Sequence, residues 1–185
     1  MLPLFLAFVQ DAEDRDLLIG YYDLHRYTML HVAQSILHDP YLAEDAVQEA
    51  FCRLAKNIKR VRPDPKQARA FLVTIVKNVA IDIIKQRKAA LALSLDELTY
   101  EFPDPVNVED IVLQHVEATA AEQIVLSLPI IYSTVYLLRY KHDCSDGAIA
   151  ALLNISESAV RKRLQRAKEK VAEAVQRERA AAFRK

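Results

Sequence analysis

The segment from Gln67 to Ala89 leaves the fewest choices of fold. Ala68, Phe71, Leu72, Ile75, Val76, Val79, Ala80, Ile83 and Ile84 recur at i, i+3, i+4 and i+7. That period puts them on one side of an α-helix and does not fit the two-residue alternation of a strand. A stripe this long needs other elements to cover it. The chain supplies more helices for the purpose. One is predicted from Asp16 to Leu37, with Leu17, Leu18, Tyr21, Tyr22, Leu24, Met29, Val32, Ala33 and Ile36 as its apolar residues. His38-Asp39-Pro40 ends it, because a proline disfavours helical backbone at the residue before it. Another is predicted from Tyr41 to Ile58, with an apolar stripe of Leu42, Ala43, Ala46, Val47, Ala50, Phe51 and Leu54. On its opposite side fall Glu44, Asp45, Gln48, Glu49 and Cys52, which by themselves read as a solvated face. Val61 to Gln67, with two prolines flanking Asp64, is a loop. The outward stripe of the Gln67–Ala89 helix is Thr74, Lys77, Asn78, Ile81, Lys85 and Lys88. It is basic and amide-bearing, suited to phosphates and base edges.

The final third is helical again. Glu117–Leu126 forms one helix; the next starts at Pro129, with Ser127 as its cap, and ends near Tyr140. Ser145–Leu153, a turn at Asn154-Ile155 and a long helix from Ser156 follow, with Ser145 and Ser156 as N-caps. Between the two helical parts, Leu91 to Glu117 loses periodicity, holds Pro103 and Pro105 and carries only acidic charge. It reads as a linker with one short helix near Val108–Val116. Two glycines, no tryptophan and 52% apolar residues agree with a helical chain able to bury a core. A length of 185 residues allows one medium domain or two small ones.

Net charge is zero, but its distribution is not even. Residues 11–50 carry nine acids against Arg15 and Arg26, and residues 56–88 carry ten bases against Asp64 and Asp82. No Lys or Arg occurs from Ala89 to Leu138, where eight acids lie; Arg161 to Lys170 then holds six bases against Glu169. Alternating blocks mean separate surfaces, the basic ones suited to phosphate and the acidic ones to a basic protein. Cys52 and Cys144, far apart and outside any CxxC, are read as reduced thiols of a cytosolic protein. His142 and Cys144 have no second pair to complete a metal site. The opening MLPLFLAFVQ lacks a basic leader and is too short to cross a bilayer, so it is expected to pack on the first domain. No nucleophile–base pair or glycine-rich phosphate loop is found. Neither catalysis nor a cofactor or metal is expected.

Residues 145–171 read as a helix-turn-helix. Ile149, Ala150, Leu153, Ile155, Val160 and Leu164 have the spacing to fill the angle between two crossing helices. The second helix then exposes Glu157, Ser158, Arg161, Lys162, Gln165 and Arg166. A helix so equipped can enter a DNA major groove, although a plain helical hairpin with a basic face has the same local pattern.

SDGAIAALLNISESAVRKRLQRAKEKV resembles the fourth conserved region of bacterial RNA polymerase sigma factors, and LPIIYSTVYLLRY resembles the helix before it. DPYLAEDAVQEAFCRL, Asp39 to Leu54, resembles the core-binding helix of the second region. ARAFLVTIVKNVAIDIIKQRK, Ala68 to Lys88, resembles its promoter-melting helix. The matches occur in the family's order, with an acidic linker in place of a third domain, as in the extracytoplasmic-function subgroup. The resemblance implies an all-α fold of two small helical domains. Residues 1–90 would be the region 2 bundle, 91–116 the linker, and 117–185 the region 4 helix-turn-helix.

The resemblance also implies roles. Glu44, Asp45, Gln48 and Glu49 would dock on the clamp of the largest subunit of core RNA polymerase. Arg62, Lys66, Lys77, Asn78, Lys85 and Lys88 would meet the minus-ten promoter DNA, in the neighbourhood of Phe71 and Asp82, with Phe71 itself in the core. The loop Val61–Gln67 falls where the family captures a flipped base. Ser156, Ser158, Arg161, Lys162, Arg163 and Arg166 would meet the minus-thirty-five DNA. An anti-sigma factor is an implied regulator, able to hold a cytoplasmic protein at the membrane. Asn154 stands where the family usually has Gly, Ser133 where it often has Arg, and Ala159 where it often has Thr. A stand-alone helix-turn-helix regulator and a sigma-like adaptor that binds core without reading promoters are the alternatives.

Overall fold

Seven α-helices and one 3-10 turn account for the described residues, 4–94 and 120–182 of a computed structural model, and no strand occurs among them. The turn is Leu4–Phe8. The helices are α1 (Ala12–Leu37), α2 (Pro40–Asn57), α3 (Ala68–Ser94), α4 (Ala120–Leu126), α5 (Ile130–Tyr140), α6 (Asp146–Leu153) and α7 (Glu157–Ala182). The chain divides into two compact units, Met1–Ile111 and Val112–Lys185.

In the N-terminal unit α1, α2 and α3 each pack on the other two. α1 begins four residues before the expected Asp16, because Asp11 caps it by accepting the Asp14 N–H. Its first turn is polar and gives no apolar periodicity. The helix ends where His38 turns left-handed, at φ 52°, and donates its N–H to the Gln34 carbonyl. Asp39 then caps α2 by accepting the N–H groups of Tyr41 and Leu42, with Pro40 in the first turn, where its missing N–H costs nothing. Phe5 of the N-terminal turn stacks on Phe51 at 5.1 Å, and Tyr22 meets Phe51 edge-on at 5.2 Å. Leu18, Met29, Leu54, Phe71, Leu72 and Ile75 complete the fully buried centre.

Three expectations for this unit need correction. Thr74 and Asn78 are buried, at 7% and 6% exposure, rather than on an outward stripe. Helices on two sides of α3 widen its covered sector beyond a single stripe, and both polar groups bond within their own helix. The Thr74 hydroxyl donates to the Ala70 carbonyl and the Asn78 amide to that of Thr74. Cys52 is buried too, so the polar face of α2 stops at Glu49 on that side. Third, α3 continues past Ala89 to Ser94, into the span assigned to the linker, because Ala89-Ala90-Leu91-Ala92 contains no stop signal. The expected short helix near Val108–Val116 lies outside the described residues.

In the C-terminal unit α5 follows Pro129, which precedes the helix instead of sitting in its first turn. Ser127 does not cap it; its hydroxyl donates back to the Ile124 carbonyl. Ser145 caps α6 through the Ala148 N–H, and Ser156 caps α7 through the Ala159 N–H, each at 3.2 Å. Between them Asn154 adopts φ 52° and ψ 48°, with its N–H and that of Ile155 both on the Ala150 carbonyl. Ile149, Leu152, Leu153, Val160 and Leu164 are buried in and around the resulting crossing. Asparagine tolerates this left-handed backbone, whereas other L-residues lose about 1–2 kcal/mol there. Asn154→Ala therefore lowers the melting temperature of the C-terminal unit by the equivalent of about 1 kcal/mol, while Asn154→Gly leaves it nearly unchanged. Equal melting of the two variants would contradict this role of the turn.

Candidate functional site

The acidic face of α2 is real and outward: Glu44, Asp45, Gln48 and Glu49 are all exposed. Its two ends differ. Glu49 accepts a 2.7 Å hydrogen bond from Arg53 Nε, and the same guanidinium reaches Asp82 on α3 at 3.2 Å. The Arg53 side chain is only 11% exposed, so it clips α2 to α3 and anchors Glu49. Glu44 and Asp45 carry no such tether among the described residues.

The loop between α2 and α3 presents Arg62 and Lys66 to solvent. It is held from inside. The Tyr21 hydroxyl donates a buried 2.7 Å bond to the Pro63 carbonyl, and the Asp64 carboxylate accepts the Lys66 N–H. Arg62 reaches Glu13 at 2.7 Å and Asp14 at 3.9 Å, and the Glu13 carboxylate holds its guanidinium above the ordinary arginine range. On α3, Lys85 is exposed and Lys77 half-buried, Asn78 is enclosed, and the Lys88 side chain lies outside the described residues. Exposed Lys59, Arg60 and Arg69 flank the loop and escaped assignment from sequence. The basic block of residues 56–88 was the signal that contained them.

At the cap and along α7, Ser156, Ser158, Arg161, Lys162 and Arg166 are exposed and Arg163 is half-buried. The Ser156 and Ser158 hydroxyls lie 2.9 Å apart, and Arg161 sits 3.5 Å from Glu157, a solvated pair worth little. The helix thus offers an open cationic face just past its capped N-terminus, raised on a helix-turn-helix.

Two family models match in the order of these surfaces. Sigma-70 region 2 matches residues 21–90, and Sigma-70 region 4 matches residues 119–171. The chain belongs to the sigma-70 family. Among relatives of this sigma-70 member, the probable RNA polymerase sigma factor RfaY of Xanthomonas campestris pv. campestris is 31% identical over 151 residues. That match covers 76% of this chain and 36% of the relative, so the chain spans about a third of RfaY's length. The ECF RNA polymerase sigma factor SigW of Bacillus subtilis is 29% identical over 164 residues, 84% of this chain and 87% of the relative. RNA polymerase sigma factor SigV of the same organism is 27% identical over 143 residues, 77% of this chain and 81% of the relative. Region 2 of this family member holds the α2 face and the loop, and region 4 holds the helix-turn-helix. Glu13 and Asp14, which engage Arg62, precede the region 2 match.

Among the described residues no group of three or more His, Cys, Asp or Glu could hold a metal, and no helix is long and apolar enough to cross a membrane. Burial pushes the Cys144 thiol up to about 11, helped by Asp143, and raises that of Cys52. Both stay protonated near neutral pH.

His142 in region 4 is pulled down to about 4, first by burial and then by Lys141. The folded unit therefore keeps it neutral while the unfolded chain takes up a proton near pH 6.5. Stability is fully present above pH 6.5 and is lost as pH falls from there towards 4, by roughly 2 kcal/mol after discount for the partly exposed ring. Melting of the C-terminal unit across this range should show that slope, and His142→Gln should flatten it.

Proposed function

We propose that this sigma-70 family member binds core RNA polymerase and directs promoter-specific initiation, without catalysis of its own. The acidic face of α2, led by Glu44 and Asp45, docks on a basic surface of the polymerase clamp. The loop after α2, with Lys66, Arg62 and Lys85 around it, engages the minus-ten DNA as it opens. The α7 face of Ser156, Ser158, Arg161, Lys162, Arg163 and Arg166 engages the minus-thirty-five duplex. The linker between the two regions carries acidic charge alone and would run through core, where such charge resembles nucleic acid. An anti-sigma factor covering the α2 or α7 face would silence both functions and could tether the protein to a membrane.

One observation carries the reading: an outward acidic helix face and a separate outward cationic helix-turn-helix occur on one chain, in the family's order. A stand-alone regulator needs the second but has no use for the first.

The test is in vitro transcription with purified core polymerase on pooled genomic fragments. The full chain should yield specific transcripts that core alone does not. Core binding without any specific transcript would leave an adaptor, and no core binding would sink the sigma reading. On a promoter so identified, Arg166→Ala weakens duplex binding by about 1–3 kcal/mol and flattens its salt dependence if the contact is to phosphate.

A further inference from the structure

Two helices and a loop of the N-terminal unit meet around the connection between α2 and α3. The α2–α3 loop is short, contains Pro63 and Pro65, and is surrounded by the exposed cations Lys59, Arg60, Lys66 and Arg69. Left to itself, such a loop would present those charges in many arrangements, and ordering it on DNA would cost entropy. Here α1 orders it beforehand. Pro63 is buried, and its carbonyl accepts the Tyr21 hydroxyl at 2.7 Å, a bond between residues 42 apart in sequence. About two turns towards the start of α1, Asp14 and Glu13 hold the Arg62 guanidinium. The loop closes on itself through Asp64, whose carboxylate takes the Lys66 N–H and whose carbonyl takes the Gln67 N–H.

From this we infer that Tyr21 is a positioning residue for nucleic-acid capture, acting through the Pro63 carbonyl to hold the α2–α3 loop in its binding conformation. The inference rests on the proposed function and goes one step further: it assigns part of the minus-ten affinity to a side chain on α1 that touches no DNA. Tyr21 is 5% exposed and cannot itself offer a surface to a nucleotide. What it offers is a fixed backbone. Without its hydroxyl, the Pro63 carbonyl loses a buried partner and the loop must turn it towards water, which moves Arg62 and Asp64 with it.

The test uses the full chain in holoenzyme on a promoter fragment recovered by the transcription assay. The fragment is prepared both as plain duplex and with the minus-ten region mismatched into a bubble. Tyr21→Phe removes only the hydroxyl. It should bind both templates about tenfold more weakly than wild type, because pre-melting the DNA does not restore the loop. Val32→Ala serves as comparator: it destabilises the same unit from a buried position on α1 three turns away. At a temperature well below both melting transitions it should bind like wild type. Wild-type binding by Tyr21→Phe, or an equal loss in Val32→Ala, overturns the assignment while leaving the sigma reading intact. Failure of wild type to form any specific complex overturns that reading and the assignment with it.

Discussion

Reversing the charge at the free end of the α2 face, with Glu44→Lys and Asp45→Lys together, is expected to abolish assembly with core polymerase and to leave the fold as it was. Both side chains are exposed and outside any ion pair among the described residues, so their replacement changes stability by about 0.5 kcal/mol or less. At a docked interface the same change places like charges together. The cost there is several kcal/mol, and about 4 kcal/mol removes three decades of affinity. Glu49 is the wrong choice for this experiment. It is bonded to Arg53, and its reversal would also strain the clip between α2 and α3. Co-purification with core and thermal melting, measured together, read the outcome. Unchanged core affinity would move the dock elsewhere; lost affinity with a collapsed melting transition would mean only that the unit had unfolded.

Phe51→Ala has the largest effect expected on stability. The ring is fully buried, stacked on Phe5 and edge-on to Tyr22, so it joins the N-terminal turn, α1 and α2 in one contact. Truncation removes that apolar surface from the core and leaves a cavity, at a cost of about 3–5 kcal/mol. For a unit of this size the melting temperature falls on the order of 15–25 °C. Phe5→Ala removes the other face of the stack. Combined with Phe51→Ala it should cost less than the two singly, by about 0.5–1.5 kcal/mol, because the ring–ring contact is lost only once. Strict additivity in denaturant melts would show that the stacked geometry contributes nothing beyond burial. Core binding should fail with Phe51→Ala only at temperatures where the unit has melted, since the acidic face sits on the helix that the ring anchors.

Several parts of the site are legible in the sequence alone. Serine at 145 and 156 and asparagine at 154 act within three or four residues of themselves, through local backbone hydrogen bonds. The structure places them as caps and turn as the sequence implies. The α2 face was legible for a similar reason: one side of that helix is crowded with small and apolar residues, leaving Glu44, Asp45, Gln48 and Glu49 only the other. Periodicity alone misplaces the boundary of the buried face on α3. A helix covered on two sides has no single boundary between inside and outside, and Thr74 and Asn78 fell within the widened sector. Their burial is tolerable because each donates to its own helix.

The arginines were the least legible. Nothing local links Arg62 to Glu13, 49 positions away, or Arg53 to Asp82, 29 positions away. A count of basic residues gives each the same weight. Only packing separates the one that clips two helices from the one held at a loop and those left open to solvent. By itself the sequence determined the helices, the caps at Ser145 and Ser156, the order of acidic and basic faces and the family, because periodicity, capping and charge blocks are properties of neighbouring residues. The tertiary structure decided which charges are spent inside the fold and which remain for a partner, because ion pairs and burial depend on distances that the chain sets only once it has packed.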